Sequence, residues 1–350
     1  MPSSTMSPAA AAAAGAACIS SSAVLMRLAD TSASITALGR CGFALPVLGA
    51  LALAERRRGT PRLPSRNRWL ARLSGLFLAG DLILWSHAIT AIGAGLGTVV
   101  TNLQVLIVSL LAWLILGERP RRSLLLASPV MLAGLALVGG LAGGHAYGTD
   151  PSLGVVYGIG VAILYAIYIL ILRQATSAGG TGPGRDARGT RTAVAGVLFE
   201  ATVGATAGSA AGGFAWHDFH LGHAWPTLGW LVLLALTSQV LGWLLITMSM
   251  PRLPAGMIGA LLLVQPTGSV APSYVILGER PSALQLLGVA LVLAGLLIAV
   301  SVGTAKSPAD AAAPAGAARA AGQVSYSRRS TRIMRHASGA STGRSASKSP

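Results

Sequence analysis

Apolar residues in this chain come in blocks of about 20, the length a helix needs to cross a bilayer, separated by short polar stretches. We read ten such blocks, at 9–28, 34–54, 70–91, 96–116, 122–142, 152–173, 192–213, 226–249, 255–277 and 283–303. The first is mainly alanine and holds Ser20, Ser21 and Ser22, and the seventh is rich in glycine and threonine. These two have the weakest apolar pattern. The first block does not read as a secretory signal, because Met1–Gly15 carries no lysine or arginine.

The blocks repeat. Ile-Leu-Gly-Glu-Arg-Pro stands at Ile115–Pro120 and again at Ile276–Pro281, 161 positions apart. At the same offset Leu132-Ala133-Gly134-Leu135 recurs as Leu293-Ala294-Gly295-Leu296, and Gln104 falls on Gln265. Five spans per copy is an odd number, so the second copy must enter the membrane upside down relative to the first. Duplicated, inverted units are the sequence mark of many secondary transporters. The expected fold is an all-α integral membrane protein of ten transmembrane helices in two inverted five-helix repeats. The repeats cover 9–142 and 152–303, joined by an external linker at 143–151. A short segment, 1–8, precedes them, and 304–350 follows as a basic cytoplasmic tail. That tail has too few large apolar side chains to build a core, so disorder is expected there.

Composition agrees with a membrane protein. The chain is 53% hydrophobic and 10% charged, with a mean hydropathy of +0.66, whereas about a quarter of a soluble domain is charged. The net charge of +16 raises nucleic acid as a partner. The basic residues instead sit in loops and tail without interleaved aromatic residues, as membrane topology requires, and nucleic acid is set aside. With both termini cytoplasmic, all 26 lysines and arginines except Arg27, Arg40 and Arg280 fall on the inner side. This predicts a multi-pass protein of the inner (plasma) membrane. Cys18 and Cys41 lie in apolar stretches without metal-ligand spacing and read as small hydrophobic residues.

Residues Leu78–Arg119 read LAGDLILWSHAITAIGAGLGTVVTNLQVLIVSLLAWLILGER. This closely resembles the EamA-type transporters of the drug/metabolite transporter superfamily. Gln239–Arg280 has the same layout, with Trp243, then Gln265-Pro266, then Gly-Glu-Arg. The resemblance covers about residues 20–303. It implies the ten-helix inverted-repeat fold, a central cavity, and movement of small metabolites or drugs, commonly outward. It does not imply one substrate, because members carry very different ones. The alanine-rich first span and the basic tail depart from the family pattern.

Polar groups inside a bilayer are costly, so they face protein or water and point to function. Of ten acidic residues, only Asp81 and Glu200 fall deep inside apolar spans. Asp81 and Trp85 are four apart, hence on one helical face. A carboxylate beside an aromatic wall suits a cationic or amphipathic amine, or proton coupling; the other reading pairs Asp81 with Arg40 or within the bundle. Thr98, Thr101, Asn102, Val105 and Ser109 follow helical spacing as a polar stripe, either lining a pathway or bonding between helices. Gln104 projects about 200° away from Asn102, so the two do not share a face. Gln239, Trp243 and Thr247 make a face analogous to Asp81–Trp85, and Gln265 precedes Pro266, which with Pro272 predicts a kinked span. The substrate-binding candidates are therefore Asp81, Trp85, Thr98, Thr101, Asn102, Gln239, Trp243 and Gln265.

Glu200 sits on a ridge of Gly196, Gly204, Gly208 and Gly212, which places it against protein. It joins Asp81 as a proton-coupling candidate, with a structural role equally open. Arg40 either snorkels outward or pairs with Asp81. The turns Gly117-Glu118-Arg119 and Gly278-Glu279-Arg280 read as structural, their carboxylates placed to cap a helix N-terminus. Tyr157, Tyr165 and Tyr168 read as packing residues. His217, His220 and His223 with Asp218 lack a zinc signature, so no metal is assigned.

The pattern predicts a secondary transporter that exports or exchanges a small organic solute by alternating access, in contact with membrane lipid. A non-transporting receptor or scaffold using the basic tail is the alternative. No P-loop is present and only His87 among the histidines sits in a span, so neither cofactor nor enzymatic activity is expected.

Overall fold

The structure, a computed structural model, describes residues 7–117, 122–141, 143, 146–177, 194–218, 225–249 and 264–301. Glu118, Arg119, His220, His223 and the 304–350 tail lie outside the described residues. Every regular element among them is helical: α1 (Pro8–Ser20), α2 (Ser22–Ala29), α3 (Ala33–Gly42), α4 (Leu45–Arg57), α5 (Ser65–Ile92), α6 (Ala94–Thr101) and α7 (Gln104–Leu116). Then come α8 (Arg122–Val138), α9 (Pro151–Ser177), α10 (Val194–Ala215), α11 (Thr227–Leu234), a π-helical segment (Ala235–Gly242), α12 (Trp243–Ser249), α13 (Val264–Leu277) and α14 (Ala283–Ser301).

Among the described residues, seven stretches are long and apolar enough to cross a membrane: Pro8–Ala29, Ala33–Arg57, Ser65–Ile92, Ala94–Leu111, Pro151–Leu172, Val194–Ala215 and Thr227–Ile246. Arg122–Val138 and Ala283–Ala299 are shorter apolar helices, and the expected ninth span is described only from Val264. Several expected spans are broken rather than continuous. In the first, Ser20, Ser21 and Ser22 bond back to the carbonyls of Ala17, Cys18 and Ile19 at 2.8, 2.8 and 2.5 Å around the α1–α2 junction. Back-bonding of this kind satisfies a hydroxyl in an apolar setting and bends the helix.

In lipid, helices associate by close packing more than by the hydrophobic effect, so small residues at crossings matter most. α10 meets α5 through its glycine ridge: a Cβ at Gly204 would strike the Arg72 carbonyl, and one at Gly208 would come within 2.8 Å of the Ala79 Cβ. α8 and α14 cross just as tightly. A Cβ at Gly134 would lie 2.6 Å from the Gly288 carbonyl, and one at Gly295 would lie 3.2 Å from the Ala127 carbonyl. Moving forward from Ala127 to Gly134 on α8 means moving back from Gly295 to Gly288 on α14, so the two run antiparallel.

The α3–α4 rod and α10 are likewise tied head to tail. Glu55, near the end of α4, accepts from the N–H groups of Ala195 and Gly196 at 3.0 and 3.2 Å. Asp218, beyond the end of α10, accepts from the Ser34 N–H at 3.4 Å, while its own carbonyl accepts from the Ser32 hydroxyl at 2.9 Å. Each carboxylate meets the positive end of the neighbouring helix, where orphan N–H groups need an acceptor.

The two Gly-Glu-Arg turns need their glycines for backbone reasons. Gly117 and Gly278 have φ of +70° and +67°, and a Cβ on either meets nothing within 4 Å. The left-handed conformation, not lack of space, demands glycine where these helices end.

Candidate functional site

Asp81 and Trp85 lie on α5 with one face turned inward, 5% and 9% exposed. Gly93, at φ +91°, makes the corner at which α5 gives way to α6 in a single residue. That corner brings Thr98 and Thr101 back towards Asp81. They meet Arg40 of α3, Gln104 of α7, Tyr165 of α9, Trp243 of α12 and Gln265 of α13 around a cavity of about 80 Å³. Side chains between Ile19 and Gln104 thus meet Tyr165, Trp243 and Gln265 across one space.

The sequence placed Asp81, Trp85, Thr98, Thr101, Trp243 and Gln265 at such a site, and the fold brings these six together. Asn102 and Gln239 are not on the cavity wall. α6 stops at Thr101 and α7 begins at Gln104, with bonds from Asn102 N–H to Val99 and from Leu103 N–H to Val100 carbonyls, both at 3.1 Å. This tighter winding changes the helical phase. Asn102 turns its Nδ2 back to the Thr98 carbonyl at 2.9 Å, and Gln104 takes the place on the wall that even spacing gave to Asn102. Ser109, further along the same stripe, bonds the Val105 carbonyl at 2.9 Å. It faces a separate cavity of about 320 Å³ between α7 and α8, lined mainly by carbon. That larger space offers packing without recognition, and the smaller polar one is the candidate site.

Gln239 sits one layer behind the wall, in the π-helical segment. Wider winding shifts the register of a helix, and π segments often mark functional positions. Gln239 donates from Nε2 to Thr202 Oγ1 at 3.3 Å and accepts from Arg40 Nε at 3.1 Å. Neither expectation for Arg40 holds. It does not snorkel, being only 4% exposed. It makes no ion pair with Asp81, since the ion pairs found among the described residues are those of Arg68 and Arg72 with Glu200. Instead its Cζ lies 5.9 Å from the Trp85 ring centroid, within cation–π range. Arg40 Nη1, Asp81 Oδ1 and Trp85 Nε1 are buried without a hydrogen-bond partner.

An aromatic wall closes one side. Tyr165 meets Tyr168 edge-on at 5.7 Å, and Tyr168 meets Trp243 edge-on at 6.2 Å, the geometry that ring quadrupoles prefer. Tyr168 packs, as expected, while Tyr165 both packs and reaches the cavity. Tyr157 stacks on His87 at 5.4 Å.

Glu200 and Glu279 lie elsewhere. Glu200 accepts from Arg68 and Arg72 at 2.8 and 2.6 Å, clamping α10 to α5. Glu279 serves a helix N-terminus, as a turn carboxylate can, but a distant one: it accepts from the Ala94 and Gly95 N–H groups at the start of α6.

Residues 6–140 and 152–301 match the EamA-like transporter family. The chain belongs to that family. The EamA membership establishes a multi-pass membrane protein with an internal repeat and places it among transporters of small molecules. No curated protein matches it. A solved crystal structure superposes with a TM-score of 0.53 at 19% identity, covering 84% of this chain and 96% of the other. That likeness shows a shared fold alone.

Proposed function

We propose that this EamA protein is a ten-span secondary transporter whose two inverted repeats, 9–142 and 152–303, enclose the polar cavity as a solute pathway. One observation carries the reading. Ala127 and Gly134 lie 161 positions before Gly288 and Gly295, and at the α8–α14 crossing Gly134 meets Gly288 while Ala127 meets Gly295. Exchanging the two copies reproduces the contact, as a two-fold axis between inverted repeats requires. The head-to-tail tie of the α3–α4 rod with α10 supports the same relation. Exchange of conformation between the halves then opens the cavity to one side and afterwards to the other.

Asp81, Trp85, Thr98, Thr101, Trp243 and Gln265 contact the solute. Asn102 holds the α6–α7 junction, and Gln239 holds Arg40. Asp81 and Glu200 are the proton-coupling candidates, Asp81 the stronger because Glu200 is already engaged by two guanidinium groups. Both termini face the cytoplasm in the inner (plasma) membrane, and net movement is export or exchange. Counterflow of labelled small solutes by the purified chain in liposomes tests transport; a scaffold gives none. Cysteines at positions 119 and 280, the latter exposed, should react from opposite faces of the membrane, and reaction from one face removes the inverted topology.

A further inference from the structure

The two charges that face the cavity are opposite in sign, and each has an atom left without a partner. Arg40 is 4% exposed, and Asp81 5%. Arg40 Nη1 and Asp81 Oδ1 both lack hydrogen-bond partners, and both side chains line the same small space. They are close enough to influence each other electrostatically, yet they form no ion pair. Two anchors oppose their collapse onto one another. Gln239 takes Arg40 Nε at 3.1 Å and is itself bonded to Thr202 at 3.3 Å, fixing the guanidinium from the α10 side. Trp85 holds its face at 5.9 Å.

Buried charges left apart at fixed positions are costly unless something supplies the missing counter-charges. A pure cation satisfies Asp81 and leaves Arg40 unmatched. A pure anion does the reverse. We propose that Arg40 and Asp81 together recognise a zwitterionic solute, its anionic group received by Arg40 Nη1 and its ammonium by Asp81 Oδ1, with Trp85, Tyr165 and Trp243 around the carbon skeleton. This rests on the cavity being the solute site. A site built to pair with both groups rejects analogues that lack one, because the orphaned protein charge stays unpaired. The amine-only chemistry that Asp81 and Trp85 imply by themselves is thereby excluded by Arg40.

The test is calorimetric binding to the purified full chain of 2-aminobutyrate, 4-aminobutyrate, propylamine and butyrate. These four share a short carbon chain and differ in which charges they carry and how far apart. At least one aminobutyrate should bind about tenfold or more tighter than both single-charge analogues, the penalty for one unmatched group. Asp81→Asn and Arg40→Gln should each erase that preference. Arg40→Gln also removes the bond to Gln239, so Asp81→Asn and the ligand series on the unaltered chain suffice if it folds poorly. Butyrate or propylamine binding as tightly as the zwitterions, a preference that survives Asp81→Asn, or no binding of either aminobutyrate overturns the proposal. Zwitterion binding without counterflow in liposomes leaves the recognition site standing and removes the transport reading. Counterflow of a solute that bears neither charge does the opposite.

Discussion

The Glu279 carboxylate accepts the backbone N–H of Ala94 at 2.6 Å and that of Gly95 at 3.1 Å, so a turn of the second repeat caps a cavity helix of the first. Glu279 is 3% exposed, and a Cβ at Gly93 would fall 2.9 Å from its carboxylate. The contact couples the turn after α13 to the position of Thr98 and Thr101.

Glu279→Ala should therefore lower the thermal stability of the detergent-solubilised protein, by about 1–3 kcal/mol for the acceptor lost to two buried donors. Gly93→Ala should cost at least about 1 kcal/mol, because it forces a side chain into φ +91° against that carboxylate. A midpoint unchanged in both variants would show that the cap contributes nothing.

Gly134→Ala and Gly295→Ala test the helix crossing. The added methyl group at Gly134 meets the Gly288 carbonyl at 2.6 Å, which is backbone and cannot yield. That at Gly295 first meets the flexible Met131 side chain and then the Ala127 carbonyl at 3.2 Å. Overpacking of this kind costs roughly 1–3 kcal/mol. Both variants should unfold at lower temperature, Gly134→Ala more than Gly295→Ala. Equal stability to the parent protein would mean that α8 and α14 separate freely.

Glu200 bonds to Arg68 and Arg72, whose side chains are 45% and 34% exposed. Pairs so open to solvent contribute about 1 kcal/mol or less each. Glu200→Gln should reduce stability modestly and leave the pH dependence of flux unchanged. A flux that becomes independent of the pH gradient in this variant would assign coupling to Glu200 instead.

Asp81→Asn keeps the shape of the side chain and removes its charge. It should abolish flux driven by a pH gradient in liposomes while leaving folding intact, as read by an unchanged elution volume. Persistent gradient-driven flux would take Asp81 out of the coupling role.

What sequence spacing determined is the local and the repeated. Block length predicted membrane helices, and the 161-residue offset revealed the duplication. Four-residue spacing marked the α10 ridge, where Gly204 and Gly208 meet α5, because a regular helix projects such residues onto one side whatever it packs against. Tertiary structure alone decided partners and phase. Nothing near Glu279 points to Ala94, nor anything near Arg40 to Gln239, since hydrogen bonds between 185 and 199 positions leave no periodic trace. The break after Thr101 and the π-helical winding of Ala235–Gly242 shift the register of everything that follows them. Extrapolating at 3.6 residues per turn therefore put Asn102 where Gln104 stands and set Gln239 on the wall instead of behind it.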